Sequence, residues 1–310
     1  MELIKTEHIT KRYSEHVALD DVSITIPTGS IFGLLGPNGA GKTSLIRIIT
    51  QITAADEGRV YFQEEKLAPH HVSKIGYLPE ERGLYKKMKV GEQLIYLSQL
   101  KGLRKAEVKR KLKYWIDKFE IGSWWNKTVE ELSKGMQQKV QFIATVLHEP
   151  ELLILDEPFS GFDPINANII KEEILQLRDK GATIIFSTHR MESVEELCDY
   201  MALLNKSKKV LDGKKKDIKE AYRSNTFIVD TQAELPLLPA GYQVIASNRH
   251  EDGFFRSRIK LDPHIDTNAL LSLFTGFTTV CGLKEDIPSI NDIFIETVNQ
   301  SQVPQKLVIK

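Results

Sequence analysis

The chain has 310 residues, enough for about two domains, and its 41% hydrophobic and 27% charged residues are ordinary for a soluble globular protein. Lys+Arg and Asp+Glu both total 42, so the charge balance predicts neither a polyanion partner nor an acidic tail. No apolar run approaches the ~18 residues that a membrane-spanning helix needs, and the opening MELIKTEHITKRY is too charged for a signal peptide; a cytoplasmic protein without direct membrane insertion is expected. Cys198 and Cys281 lie far apart with no C-x-x-C pattern, which indicates neither a disulfide framework nor a zinc site.

To about residue 83 the pattern predicts strands around one glycine-rich turn. The apolar strand IFGLL runs into GPNGAGKT, residues 36–43, which fits G-x-x-x-x-G-K-[ST] and is followed by a helix from SLIRIIT. Glycines here let backbone N–H groups close around phosphates, Lys42 adds a mobile cation, and the Thr43 hydroxyl is a hard ligand suited to Mg²⁺. From about 84 to 150 the pattern is helical, with Val108, Leu112, Trp115, Ile116 and Phe119 on one stripe. Within it LSKGMQQK, residues 132–139, opens a helix whose apolar face is Met136, Val140, Ile143, Ala144 and Leu147. Ser133 and Gly135 then stand at a helix mouth, where free N–H groups and the positive end of the dipole suit an anion.

Two buried-strand runs follow, LLIL at 152–155 and ATIIFS at 182–187, with a helical stretch between them; strand, helix, strand implies a parallel sheet. The first ends in Asp156 and Glu157, an acid suited to holding Mg²⁺ and one placed to take a proton from an attacking water. The second leads to His189, within reach of a γ-phosphate.

The stretch KSKKVLDGKKKDIK, residues 206–219, carries seven lysines and reads as a solvated hairpin rather than a lipid-facing patch. Packing or plain exposure is likewise the favoured reading of Trp124, Trp125, His70 and His71. A domain boundary is expected near 222, beyond which TFIVDT, YQVIAS and FFRSRIKL suggest strands and NALLSLF and NDIFIETV suggest helices.

From residue 13 to 189 these motifs resemble, in order and spacing, the ATPase subunit of an ABC transporter. The resemblance makes residues 36–43 Walker A, with Gly36, Pro37, Asn38, Gly39, Ala40, Gly41, Lys42, Thr43 and the adjoining Ser44 around the phosphates. It makes 152–156 Walker B, Glu157 the catalytic glutamate, Ser160 to Asp163 the D-loop with Asp163 near the nucleotide, His189 the switch histidine, and Tyr13 the aromatic that stacks on adenine. LSKGM stands where the family usually has L-S-G-G-Q: Lys134 and Met136 depart from it, while Ser133 and Gly135 are kept. In the family this mouth faces the γ-phosphate of ATP held by another subunit. In YLPEERGLY, residues 77–85, Glu80 stands where the family often has glutamine, and is expected near Mg²⁺ or water with a hinge role. PSINDIFIETV resembles the close of a small accessory domain on NatA-like exporter ATPases.

The fold so implied is α/β: a P-loop NTPase with a mixed sheet over 1–222, a helical subdomain inserted at about 84–150, and a small α+β domain, a ferredoxin-like mix of strands and helices, over 223–310. The implied function is ATP hydrolysis with Mg²⁺ that powers a separate integral membrane permease, in the direction of export. Lys42, Glu157 and His189 would carry the chemistry, with Thr43, Asp156 and Glu80 at the metal. The implied partners are that permease and a second ATPase subunit, most simply a homodimer with ATP at its interface, which places the protein at the inner face of the membrane and involves no nucleic acid. A soluble ABC ATPase acting on ribosomes or nucleic acid is the alternative; the single cassette and the lack of sustained heptads speak against it.

Overall fold

A computed structural model of the protein describes residues 1–81 and 83–300, so the last ten residues of the accessory domain expected over 223–310 lie outside the described residues. The chain divides into two compact units, residues 1–215 with the segment from Thr297, and residues 216–296.

The first unit holds two sheets. Strands β1 (Glu2–Tyr13) and β2 (His16–Pro27) pair as a long antiparallel hairpin. The chain then enters β3 (Ile31–Leu35) and helix α1 (Lys42–Ile49), and returns through β4 (Glu57–Phe62) and β5 (Glu65–Lys66) to give the antiparallel order β2-β1-β4-β5. After β6 (Ile75–Leu78) come α2 (Val90–Leu100), α3 (Lys105–Phe119) and α4 (Lys134–Val146). Next are β7 (Leu152–Asp156), α5 (Pro164–Asp179), β8 (Thr183–Ser187), α6 (Met191–Leu197), β9 (Tyr200–Asn205) and β10 (Lys208–Lys214).

The second sheet has the order β10-β9-β3-β8-β7-β6, parallel from β9 to β6 with β10 antiparallel at one edge; the sheet is mixed as expected. Every residue of β3, β7 and β8 is buried. A parallel strand covered on both faces needs a continuous apolar run, and IFGLL, LLILD and TIIFS supply it. Leu34 lies level with Ser187, and Ser187 with Asp156, so these three strands end together. The antiparallel sheet and α1 share a core with the parallel one, in which Ile4, Leu19, Phe62, Ile46, Leu34 and Ile154 are buried.

Between β6 and β7, α3 buries Val108, Leu112, Trp115 and Phe119, and Trp115 stacks on Phe119 with ring centroids 5.7 Å apart. Trp125 packs over Gly91, whose missing Cβ would lie 2.2 Å from the indole. Only residues 206–214 of the lysine-rich stretch form a hairpin with β9, turned at Lys206 and Ser207 with φ of +47° and +69°, while 215–219 lie in a helix; lysines along an edge strand also deter pairing with other chains.

In the second unit α7 (Lys215–Ala221), which begins at the division, precedes β11 (Thr226–Thr231), β12 (Tyr242–Arg249), β13 (Phe255–Leu261), α8 (Thr267–Thr275), β14 (Val280–Glu285) and α9 (Ile290–Gln300), whose residues from Thr297 count with the first unit. The strands form an antiparallel sheet of order β12-β13-β11-β14 around Phe227, Val229, Ile259, Leu261, Leu270 and Phe274. This is α+β, yet three strands precede the first helix of the sheet, unlike the β-α-β-β-α-β order of a ferredoxin-like fold. Pro236 and Pro239 lie between β11 and β12, where the ferredoxin-like order requires a helix, and each removes a backbone donor that a helix needs. β14 is the strand the sequence pattern did not suggest: Gly282 interrupts a short run with little alternation.

The contact of Gly91 with Trp125 generates a prediction. Gly91→Ala should destabilise the chain by about 1–3 kcal/mol through overpacking, measured by urea denaturation. Wild-type stability would show that the indole moves aside freely.

Candidate functional site

The carboxyl ends of parallel strands are where open α/β sheets place ligands. The loop after β3 crosses that edge in contact with its surroundings. At Gly36, with φ of +147°, a Cβ would lie 2.3 Å from the Leu204 carbonyl; at Gly41, with φ of +109°, one would lie 2.4 Å from that of Ala18. Both positions demand glycine for conformation and for space. Pro37, Asn38, Gly39 and Ala40 turn between them, with the Ala40 N–H donating to the Pro37 carbonyl. The Lys42 ammonium folds back across this turn and donates to the carbonyls of Gly36 (2.7 Å) and Pro37 (3.1 Å). Burial lowers its pKa, and the charges of Asp156, Glu157 and Glu80 oppose that shift. Backbone N–H groups, a lysine and the start of α1, with Thr43 and Ser44 in its first turn, make a cradle for a polyphosphate.

Thr43, Tyr77, Glu80 and Asp156 line one cavity of about 720 Å³. Asp156 is buried at the end of β7; burial raises its pKa, and the negative charges of Glu80 and Glu157 add to this. Burial also pushes the Tyr77 phenol up to about 12. A hydroxyl and two carboxylates supply hard oxygens of the kind Mg²⁺ prefers, and a cation there would offset the cost of burying Asp156. The donor set fits the metal.

Glu157 sits just beyond β7 with φ of +49°, its N–H donating to the Ser187 carbonyl. Three donors hold its carboxylate. Oε1 accepts from the His189 backbone N–H at 2.8 Å and lies 2.7 Å from His189 Nδ1; Oε2 accepts from the Thr188 hydroxyl at 3.1 Å. The proton of this ring therefore belongs on Nδ1, next to a carboxylate. The sequence reading assigned Glu157 and His189 separate tasks and missed both their contact and the part of Thr188. The one available signal was that STH closes a strand whose neighbour closes with DE.

Tyr13 ends β1 with 40% of its surface exposed, and the Lys11 ammonium stands 5.4 Å from its ring centroid. This tyrosine does not pack into the sheet. Ser133 caps α4, its hydroxyl accepting from the Met136 N–H at 3.3 Å, and a Cβ on Gly135 would lie 3.6 Å from the Gly161 carbonyl. Asp163 caps α5, accepting from the N–H groups of Ile165 and Asn166 at 3.0 Å each, and the Asn166 bond leads in lowering its pKa. Its carboxylate serves its own helix. Lys42, Thr43, Glu80, Asp156, Glu157 and His189 thus gather around the β3 loop, whereas Gly135 stands beside Gly161 and Asp163 caps its own helix.

Glu65, His70 and His71 place ligand atoms within 4.8 Å of one another. However, His71 Nδ1 accepts the Ala68 N–H at 3.0 Å, so the neutral ring carries its proton on Nε2, toward Glu65, and offers a metal no lone pair there. His71 is buried and stacks on Phe62, a packing role.

Residues 19–160 match the family described as "ABC transporter", and residues 213–298 match "ATP-binding protein DrrA1-3-like, C-terminal domain". The chain is 42% identical to the uncharacterized ABC transporter ATP-binding protein YhaQ of Bacillus subtilis (strain 168), over 96% of this chain and 98% of that protein. It is 36% identical to the ABC transporter ATP-binding protein NatA of the same organism, over 67% of this chain and 86% of NatA. Among solved structures, one titled "Structure of ATP binding subunit of ABC transporter" superposes with a TM-score of 0.67 at 30% identity, covering 71% of this chain and 93% of that one.

The exposed ring of Tyr13 yields a prediction. Tyr13→Ala should weaken ATP binding by roughly 1–3 kcal/mol, the range for base–aromatic stacking, with a similar loss for GTP and little change in the chemical step. Equilibrium binding of a fluorescent nucleotide measures it, and unchanged affinity would remove Tyr13 from the base.

Proposed function

Since the chain belongs to the ABC transporter ATP-binding proteins, we propose that residues 36–44 hold ATP at the edge of the parallel sheet and that Glu157 drives its hydrolysis, powering export through a separate integral membrane permease. The family binds ATP with Mg²⁺ and hydrolyses it. One observation carries the reading of the site: the phosphate loop, Asp156, Glu157 and His189 all stand at the aligned ends of β3, β7 and β8.

The loop N–H groups and Lys42 fix the phosphates, which is positioning catalysis. Thr43, Asp156 and Glu80 would hold Mg²⁺, which neutralises phosphate charge when bound. Glu157 Oε1 is taken up by two donors from His189, whereas Oε2 meets one hydroxyl. Oε2 therefore keeps a lone pair free to take a proton from water as it attacks the γ-phosphorus. With Nδ1–H committed to Glu157, His189 can donate to a phosphate oxygen through Nε2 only as the doubly protonated ring. The ring is two-thirds exposed, at 67%, which leaves Nε2 room to do so.

In this proposal Ser133 and Gly135 complete the charge stabilisation on ATP held by a second subunit, most simply an identical one. Residues 1–222 form the ATPase domain and 223–310 the accessory domain, and the protein works at the inner face of the membrane, attached through the permease. Export is supported by the likeness to the Nod factor export ATP-binding protein I of Sinorhizobium fredii (strain NBRC 101917 / NGR234), 33% identical over 68% of this chain and 62% of that protein. Among the described residues no helix is long and apolar enough to cross a membrane, and in this proposal the separate permease supplies the route. No observation favours ribosomes or nucleic acid as the target.

Copurification from membranes should recover an integral membrane protein with the chain. Glu157→Gln should keep ATP affinity and lower turnover by about 10²- to 10⁴-fold, the worth of a positioned general base; near-normal turnover would remove Glu157 from that role. Coexpressed Lys42→Ala and Ser133→Arg chains should regain ATPase activity that neither shows alone. In the mixed dimer both lesions fall in one composite site and the other site stays whole. Full activity of Ser133→Arg by itself would reduce LSKGM to a helix start.

A further inference from the structure

Glu80 is carried by the segment that leaves β6 for α2, and two buried glutamines from different helices hold that segment. Gln93 of α2 accepts the Tyr85 N–H on its Oε1 at 2.7 Å. Gln141, in the middle of α4, directs Nε2 at the carbonyls of Pro79 (3.4 Å) and Glu81 (3.5 Å), one on either side of Glu80. Both side chains are buried, at 0% and 4% exposure. Each is only half satisfied, because Gln93 Nε2 and Gln141 Oε1 have no hydrogen-bond partner among the described residues. A leucine of similar size would avoid that cost, so a buried glutamine at 141 calls for a reason beyond stability.

The surroundings supply one. The Lys101 ammonium, just past α2, donates to the carbonyls of Val72 (2.9 Å) and Ile75 (2.8 Å), which pins the start of β6. β6 itself is paired with β7. A shift of the helices relative to the sheet is then taken up beyond Leu78, in the segment that bears Glu80. Gln141 lies eight residues after Ser133, or about 12 Å along one continuous helix. Whatever displaces the mouth of α4 displaces the Gln141 amide with it. Its two bonds are near the upper length limit for hydrogen bonds, so a small shift of the helix either tightens or releases them.

We propose that Gln141 is a positioning residue that ties the placement of Glu80 in the cavity to the placement of the helix beginning at Ser133. The proposal rests on the reading of Glu80 as an oxygen donor at the metal. Through Gln141, contact made at Ser133 by a second subunit's phosphate is converted into the position of an acid in the first subunit's own site.

The test is a double-mutant cycle in the full chain, with turnover and ATP affinity measured separately. Gln141→Leu should lower kcat about tenfold, within the range that a misplacement of 1 Å or less can cost, and leave ATP affinity within about twofold. Glu80→Ala should lower kcat at least as far. The double variant should be no slower than Glu80→Ala, because Gln141 acts through Glu80 alone. Gln141→Met, which lacks the donors but fills the space without branching, should match Gln141→Leu and guards against a folding defect. Unchanged turnover in both Gln141 variants beside an impaired Glu80→Ala would overturn the tie and leave the reading of Glu80 standing. So would losses that multiply in the double variant, the mark of an independent structural role. Unchanged turnover in Glu80→Ala would overturn both.

Discussion

The common register of β3, β8 and β7 is the constraint on which the site depends. Leu34, Ser187 and Asp156 stand level, so a turn after the first strand, a histidine after the second and two acids after the third leave the sheet at one edge. A shift of one residue in any of the three strands would take the group at its end off this common level. The long apolar runs that look like mere core are what bring the polar groups together.

That edge concentrates charge of both signs. Lys42 lies near Glu80, Asp156 and Glu157, and burial works against the charged forms of Lys42 and Asp156 alike. Such a cluster is poorly solvated and is stabilised by whatever supplies the missing counter-charges, which in the proposed function are phosphate and a divalent cation. Glu157 is placed differently. Its carboxylate is held by Thr188 and by both the backbone and ring of His189, so its orientation is set before any ligand arrives. Preorganisation of this kind suits the general-base role proposed for Glu157, because no freedom is lost at the moment of reaction.

The helical insertion relates to this edge through side chains rather than strands. Gln141 and Gln93 reach the segment around Glu80, and Lys101 anchors the strand before it. Ser133 and Gly135, meanwhile, keep company with Gly161 rather than with the cavity. One chain therefore carries the glycine-rich loop and the capped mouth of α4 as separate groups. The family reading joins them only across a pair of subunits.

Local patterns were legible wherever one short stretch contains the whole physical cause. GPNGAGKT needs its glycines for conformation and for close approach, LLILDE announces a doubly covered strand ending in acids, and Ser133 caps a helix whose apolar stripe follows at once. The accessory domain was readable as α+β, but β14 escaped because Gly282 breaks its pattern, and the ferredoxin-like order failed at a proline-bearing connection. The sequence by itself thus determined most of the elements, the glycine-rich loop and the identity of the acids, for these follow from spacing within a few residues. Only the tertiary structure decided that His189 and Thr188 grip Glu157 and that Gln141 reaches the segment around Glu80. Contacts between residues 31 and 60 positions apart depend on which strands are neighbours and how helices lie on them, and no local periodicity encodes that.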